Sequence, residues 1–200
     1  MKAMWDERYG EPELAYGSSA NEFLRSMAQH LPPGPVLCLA EGQGRNAVYL
    51  AKRGHPVTAV DQSPIGLARA RDLAAQEGVQ IDTRTTDLAE FTIAPSAWAG
   101  IVAIFAHLPA PLRARVHRAV VAGLKAGGVF ILEAYTPAQL GNHTGGPRGL
   151  ALLMTLEGLR EELAGLELLH ALETTRDIRE GRYHTGAGAV VQVVARKPLA

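Results

Sequence analysis

The chain has 200 residues, 47% hydrophobic and 20% charged, and its 20 lysines and arginines balance its 20 aspartates and glutamates, so the formal net charge is zero. That length builds one domain around one core, and the charge balance argues against a partner gripped mainly through phosphates, whether nucleic acid or an anionic membrane. The single cysteine, Cys38, rules out an internal disulfide and a multi-cysteine zinc site, and reads as a small buried hydrophobe.

The opening MKAMWDERYGEPELAYG is aromatic and charged, without the apolar stretch of a signal peptide, and no later run is long and apolar enough to span a bilayer. The expectation is a cytoplasmic protein. Trp5 and Tyr9 stand four apart, so one helical turn puts them on one face. Ser18 or Ser19 is the expected cap of a helix through Leu31, with Phe23, Leu24, Met27 and Leu31 at helical spacing, stopped by Pro32-Pro33-Gly34-Pro35. Val36 to Ala40 then reads as a short strand buried on both faces.

From here strand and helix alternate. Ala47, Leu50 and Ala51 mark a helix that Gly54 ends, and Pro56 to Val60 is a second strand. Ser63 and Pro64 are a cap and a first-turn proline for a helix running to Gly78. Val79 to Thr85 is a third strand and Gly100 to Phe105 a fourth. Leu112, Val116, Ala119, Val120 and Leu124 share a helical face ended by Gly127-Gly128, and Val129 to Ala134 is a fifth strand. Residues 136–150 read as a long loop, Thr155 caps a helix to about Ala164, and strands over Glu167 to Ile178 and Ala187 to Lys197 meet through Glu180-Gly181. The pattern predicts an α/β, Rossmann-like fold: a mostly parallel seven-stranded sheet, helices on both faces, and a C-terminal antiparallel hairpin, in one domain over residues 1–200.

The stretch LAEGQGRNAV, Leu39 to Val48, places Gly42 and Gly44 in the turn between the first strand and its helix. Ligands of open α/β sheets bind at the carboxyl ends of the strands, where glycine admits close approach and the helix offers unpaired N–H groups. Asp61 follows Gly42 by nineteen residues and ends strand two, the place for an acid that meets the ribose hydroxyls of an adenosine cofactor. Gly42-x-Gly44-x-x-Ala47 fits a dinucleotide, and hence an NAD(P)-binding oxidoreductase, or S-adenosylmethionine. Asp87-Leu88 after strand three, the reversed C-terminal strand, and the lack of a Tyr-x-x-x-Lys pair and of a second substrate domain favour the latter. The spacings contain no metal signature such as His-x-x-x-His, so no metal is expected.

LAEGQGRNAVYLAKRGHPVTAVDQS, IFAHLP, the WDERY start and the GRYHTG segment resemble the small class I S-adenosylmethionine-dependent methyltransferases related to the tellurite-resistance methyltransferases. The resemblance covers nearly the whole chain. It implies that Ala40, Glu41, Gly42 and Gly44 line the methionine part of S-adenosylmethionine, and that Arg45 and Asn46 begin the helix beneath it. It further implies that Asp61 holds the ribose with Gln62 beside the adenine, that Asp87 and Leu88 edge the adenine, and that Phe105 and His107 face the methyl group. Trp5, Arg8 and Tyr9 would form a lid within residues 1–17. Cys38 and Ala40 stand where the family usually has an acid and a glycine; Glu41 is then expected to replace the acid, and Ala40 to be tolerated at negative φ.

The expected function is methyl transfer by in-line displacement to a small-molecule acceptor such as a thiol or chalcogen oxyanion, with His107 or His184 as base and Arg148 and Arg182 steering an anion. The expected assembly is a monomer or homodimer, without nucleic acid or membrane. A non-catalytic S-adenosylmethionine-binding protein is the third reading, kept by Cys38 and Ala40.

Overall fold

The computed structural model describes residues 2–199. One sheet carries seven strands: β1 (Val36–Leu39), β2 (Val57–Asp61), β3 (Asp82–Thr85), β4 (Trp98–Ile104), β5 (Leu124–Tyr135), β6 (Glu167–Glu180) and β7 (His184–Arg196). Their order is β3-β2-β1-β4-β5-β7-β6. The ladders through β5 are parallel, and β7 runs against both of its neighbours. Strand order therefore reverses between β1 and β4, which opens a crevice at their carboxyl ends.

The helices are α1 (Lys2–Tyr9), α2 (Glu22–Met27), α3 (Arg45–Lys52), α4 (Pro64–Gln76), α5 (Ala110–Gly123) and α6 (Leu156–Glu162). Alternate residues of the inner strands feed opposite faces, as period two requires. Leu37, Ile101 and Phe130 pack with Val116 and Val120 of α5 and Leu159 of α6. Val36, Cys38 and Ile131 pack with Leu24 of α2, Leu50 of α3 and Leu67 of α4. Each such fully buried side chain contributes about 1.5–3 kcal/mol relative to exposure, and the two layers clamp the sheet. No helix among the described residues is long and apolar enough to cross a membrane.

Several boundaries depart from expectation: β3 starts at Asp82 rather than Val79, β4 at Trp98 rather than Gly100 and β7 at His184 rather than Ala187, and three further departures have local reasons. Neither Ser18 nor Ser19 caps α2; Asn21 does, its Oδ1 accepting from Leu24 N at 2.9 Å, and a 3-10 turn over Ala28–His30 finishes the helix. Gly127-Gly128 does not end α5. The helix stops at Gly123, where a Cβ would stand 2.5 Å from Ile93, and Leu124 already pairs with Trp98. Gly127 and Gly128 instead lie inside β5 beside the register shift between Trp98 and Gly100, with Gly127 at φ +74. Finally, the loop over 136–150 contains 3-10 turns at Pro137–Gly141 and Leu150–Leu152. Ser63 behaves as read, its Oγ accepting from Gly66 N at 3.0 Å.

Candidate active site

The turn after β1 is built by its own neighbours. Glu41 Oε1 accepts from Asn46 N at 3.0 Å and Ala47 N at 2.8 Å, so this carboxylate caps α3. It does the work that Gly44, at the N-cap with φ +88, has no side chain to do. Burial pushes the Glu41 carboxyl up to about 7, against the pull of the Ala47 amide and of Arg45. Asp61 Oδ2 accepts from Gly42 N at 2.9 Å and Oδ1 from Ser63 N at 2.8 Å, tying the turn after β1 to the turn after β2. Burial raises the Asp61 carboxyl while those amides oppose the rise.

Both glycines meet protein. A Cβ on Gly44 would stand 2.5 Å from Ala70 Cβ, so this glycine lets α3 lie against α4. A Cβ on Gly42, at φ +62, would stand 2.6 Å from Tyr9 Oη. A Cβ on Gly66 would meet the other side of the same ring at 2.8 Å. Tyr9 is buried, and α1 lies directly over the turn. Trp5 stacks on Tyr9 with centroids 5.5 Å apart, so the two share a face as their spacing predicts. Arg8 donates to Tyr16 Oη at 2.8 Å and covers the Tyr183 ring at 4.2 Å. Gln43, which sequence reading passed over as the variable residue between two glycines, accepts from Ala15 N at 2.8 Å and donates to Tyr9 O at 3.5 Å.

Ala40 is a correction. Its φ is +50, left-handed, not the negative value expected. Phe105, at the end of β4, has φ +53. The two strands that flank the switch point are thus each followed by a strained non-glycine residue, at a cost of about 1–2 kcal/mol each.

Arg45 and Asn46 begin α3, but their side chains turn away from the turn. Arg45 pairs with Glu180 at 2.5 Å and Asn46 Oδ1 accepts from Asn21 N at 2.9 Å. They join a buried network that sequence reading missed. Glu133, fully buried on β5, accepts from Asn21 Nδ2 at 2.6 Å, Arg176 Nη2 at 2.7 Å and Gln192 Nε2 at 2.7 Å. Glu180 accepts from Arg45, from Asn21 at 2.8 Å and from Arg176 at 2.9 Å. Two acids face two guanidiniums, so the charges compensate. The signal in the sequence was Glu133 itself, an acid inside the apolar strand VFILEAY.

An aromatic cluster stands at the carboxyl ends of β4 and β5 and the start of β7. Phe105 stacks on Tyr135 at 4.7 Å and meets His184 edge-on at 4.6 Å, and Tyr16 lies 4.6 Å from His184. His107 has both ring nitrogens engaged: Nδ1 lies 2.9 Å from Leu152 O and Nε2 accepts from Tyr135 N at 3.4 Å. A carbonyl can only accept, so Nδ1 carries the proton and the lone pair faces Tyr135 N. Burial lowers this imidazole to about 4. His107 therefore stands as a tie between strands rather than as the free base expected. His184 differs: its Nδ1 is buried without a partner, and burial, with Arg45 nearby, lowers the ring to about 3.

The remaining candidates are less concentrated. Asp87 is exposed and its Oδ1 accepts from Ala89 N at 2.8 Å, organising its own turn, while Leu88 turns into the core. Gln62 is half-buried beside Asp61. Arg182, expected to steer an anion, is paired with Glu11, and Arg148 stands exposed on its loop. Among the described residues no cluster of three or more histidine, cysteine, aspartate or glutamate side chains could hold a metal ion.

Comparison with known proteins agrees with this geometry. Residues 36–128, from β1 into β5, match the methyltransferase domain family. A 2-heptyl-1-hydroxyquinolin-4(1H)-one methyltransferase of Mycobacteroides abscessus is 26% identical over 139 residues, 68% of this chain and 61% of that protein. The chain thus spans less than two thirds of that relative's length. A structure solved for the conversion of a disulfide bond into a thioacetal group during echinomycin biosynthesis superposes with TM-score 0.80 at 17% identity, covering 99% of this chain and 92% of that one. TehB from Haemophilus influenzae superposes with TM-score 0.74 at 20% identity, covering 98% and 66%. The strand order with its reversed β7, the glycine turn tied to the acid ending β2, and the domain match over residues 36–128 point the same way: that segment is similar to the methyltransferase domain family, and the chain shares the fold of the solved structures it superposes on.

Proposed function

We propose that this protein transfers the methyl group of S-adenosylmethionine to a small-molecule acceptor. The observation that carries this reading is Asp61, whose carboxylate ends β2 and grips Gly42 N across the switch point. A carboxylate has about four lone-pair sites, and each Asp61 oxygen accepts one backbone N–H, which leaves capacity for the two hydroxyls of a ribose. The positive φ of Gly42 brings backbone to the same place, and the Trp5–Tyr9 face of α1 supplies a flat cover. These groups fit the cofactor. When bound, S-adenosylmethionine would supply an electrophilic methyl carbon, open to in-line attack by an acceptor lone pair as the carbon–sulfur bond breaks and S-adenosylhomocysteine leaves. The protein's own share is alignment and a dry site.

The acceptor divides into two readings. The likeness of GQGRN and VDQS to the tellurite-resistance branch supports a thiol, selenol or chalcogen oxyanion. The relative that methylates a hydroxyquinolinone supports a hydroxylated aromatic, and the cluster of Phe105, Tyr135 and His184 favours this second reading.

The test is calorimetric titration with S-adenosylhomocysteine, with NAD and NADP alongside. The expected result is micromolar binding of the first and none of the nicotinamides, with Asp61→Asn weakening it at least tenfold. Nicotinamide binding without S-adenosylhomocysteine binding would sink the proposal.

A further inference from the structure

Among the described residues, four buried side-chain atoms have no hydrogen-bond partner: Trp98 Nε1, His170 Nε2, Tyr135 Oη and His184 Nδ1. The first two stand apart, at the start of β4 and near the start of β6, at the end of the sheet away from the switch point. The last two belong to one cluster, with ring centroids 5.4 Å apart, beside the residues argued to face the methyl group. Folded proteins pair more than nine in ten buried polar groups, and each orphan costs about 1–3 kcal/mol. Two together at a candidate active site imply a ligand that completes them.

The surroundings define that ligand. Tyr135 is held as the neutral phenol, since burial and the nearby Glu180 and Glu133 raise its pKa. It offers a donor, while the neutral His184 imidazole offers a nitrogen that accepts or donates according to tautomer. Phe105, Tyr16 and the two rings themselves supply flat apolar faces. Two of the nearby guanidiniums are compensated, Arg45 by Glu180 and Arg176 by Glu133 and Glu180, while Arg8 donates to the neutral hydroxyl of Tyr16. The roof is the glycine-rich loop NHTGGPRG. An atom at the Cβ position of Gly145 would lie 3.0 Å from Tyr135 Oη and 3.0 Å from the His184 ring, and one at that of Gly146 would lie 2.7 Å from the Tyr135 ring. The loop is pinned by Gln139 Nε2, which donates to Thr144 Oγ1 at 3.0 Å and to Gly145 O at 3.1 Å.

We infer that Tyr135 and His184 form the acceptor subsite, and that it takes an uncharged planar aromatic or heteroaromatic molecule through its hydroxyl group, in exchange for the backbone of Gly145-Gly146. A hydroxyl both accepts and donates, so it answers the phenol and either tautomer of the imidazole at once, and the flat apolar faces around the pair suit an aromatic carrier better than a small oxyanion. This rests on the methyltransferase reading above.

The experiment titrates 1-naphthol and 4-hydroxyquinoline into protein with and without saturating S-adenosylhomocysteine, using naphthalene and sodium selenite as controls. Tyr135→Phe and His184→Phe keep the rings and delete the orphaned atoms. The expected result is that at least one hydroxylated probe binds the parent protein and binds either variant at least tenfold more weakly. Naphthalene should bind weakly throughout, and S-adenosylhomocysteine affinity should be unchanged. Tyr135→Phe should melt no lower than the parent, because the lost hydroxyl had no partner. Equal probe binding by parent and variants, binding of neither hydroxylated probe, or tighter binding of selenite would overturn the inference. Loss of S-adenosylhomocysteine binding in the parent would overturn the cofactor reading instead, and the titration without it still reads the subsite.

Discussion

The two sides of the crevice are finished to different degrees. On the β1–β2 side nearly every polar group is engaged: Glu41 caps α3, Asp61 bridges two turns, Gln43 holds the N-terminal segment, and both glycines touch side chains. On the β4–β5–β7 side the rings pack well, yet a phenol and an imidazole are left without partners. The contrast teaches that one wall of a crevice can be organised largely through backbone contacts, while the other rests on a few side chains whose polar atoms the fold itself does not satisfy.

The buried Glu133–Arg176–Glu180 network joins the halves, and cutting it should have the largest effect. Arg176→Met leaves Glu133, fully buried, short of its main cation. The expected loss is about 3–5 kcal/mol in denaturant melts. Pairing it with Glu133→Gln should recover part of that loss, and a double variant no better than the single would argue against charge compensation as the network's role.

Acid should act on the aromatic side first. His107 and His184 have folded pKa values of about 4 and about 3, lowered by burial from 6.5. Between those values the unfolded chain binds more protons than the folded one, so stability rises with pH. It is fully present above about 6.5 and is lost as pH falls toward 3. Glu162, lowered to about 2 by His117 and Arg113 against the effect of its own burial, adds a loss further into acid, from its usual 4.5 downward. Glu41 opposes this trend, because its raised pKa withdraws stability as pH rises from 4.5 to about 7. Melting temperature against pH should therefore be steeper in Glu41→Gln than in the parent over that window, and His184→Phe should flatten the acid limb.

The smallest effect belongs to the strand ends. Ala40→Gly relieves the left-handed strain but adds unfolded-state entropy, so a gain of at most about 1 kcal/mol is expected. A marked loss would mean that the Ala40 methyl packs better than its strain suggests.

Much of this molecule could be read locally. Ser63-Pro64, the buried run at Val36, and the spacing from Gly42 to Asp61 are signals carried by neighbours in sequence, and each stands where expected. The misreadings share a different cause. Gly127-Gly128 looked like a helix stop because glycine marks turns and bulges alike, and only the pairing of Leu124 with Trp98 tells them apart. Arg182 looked free because its partner, Glu11, lies 171 residues away.

The sequence by itself determined the alternation of strands and helices, the reversed last strand, the glycine turn and the acid that answers it, because those depend on periodicity, caps and turn chemistry within short windows. The tertiary structure decided what each side chain is for. It turned Glu41 into a cap, made His107 a tie, gathered Asn21, Arg45, Glu133, Arg176 and Glu180 into one buried network, and left Tyr135 and His184 facing each other unsatisfied. Such roles depend on which distant groups share a low-dielectric space, and that is set only when the sheet brings its strand ends together.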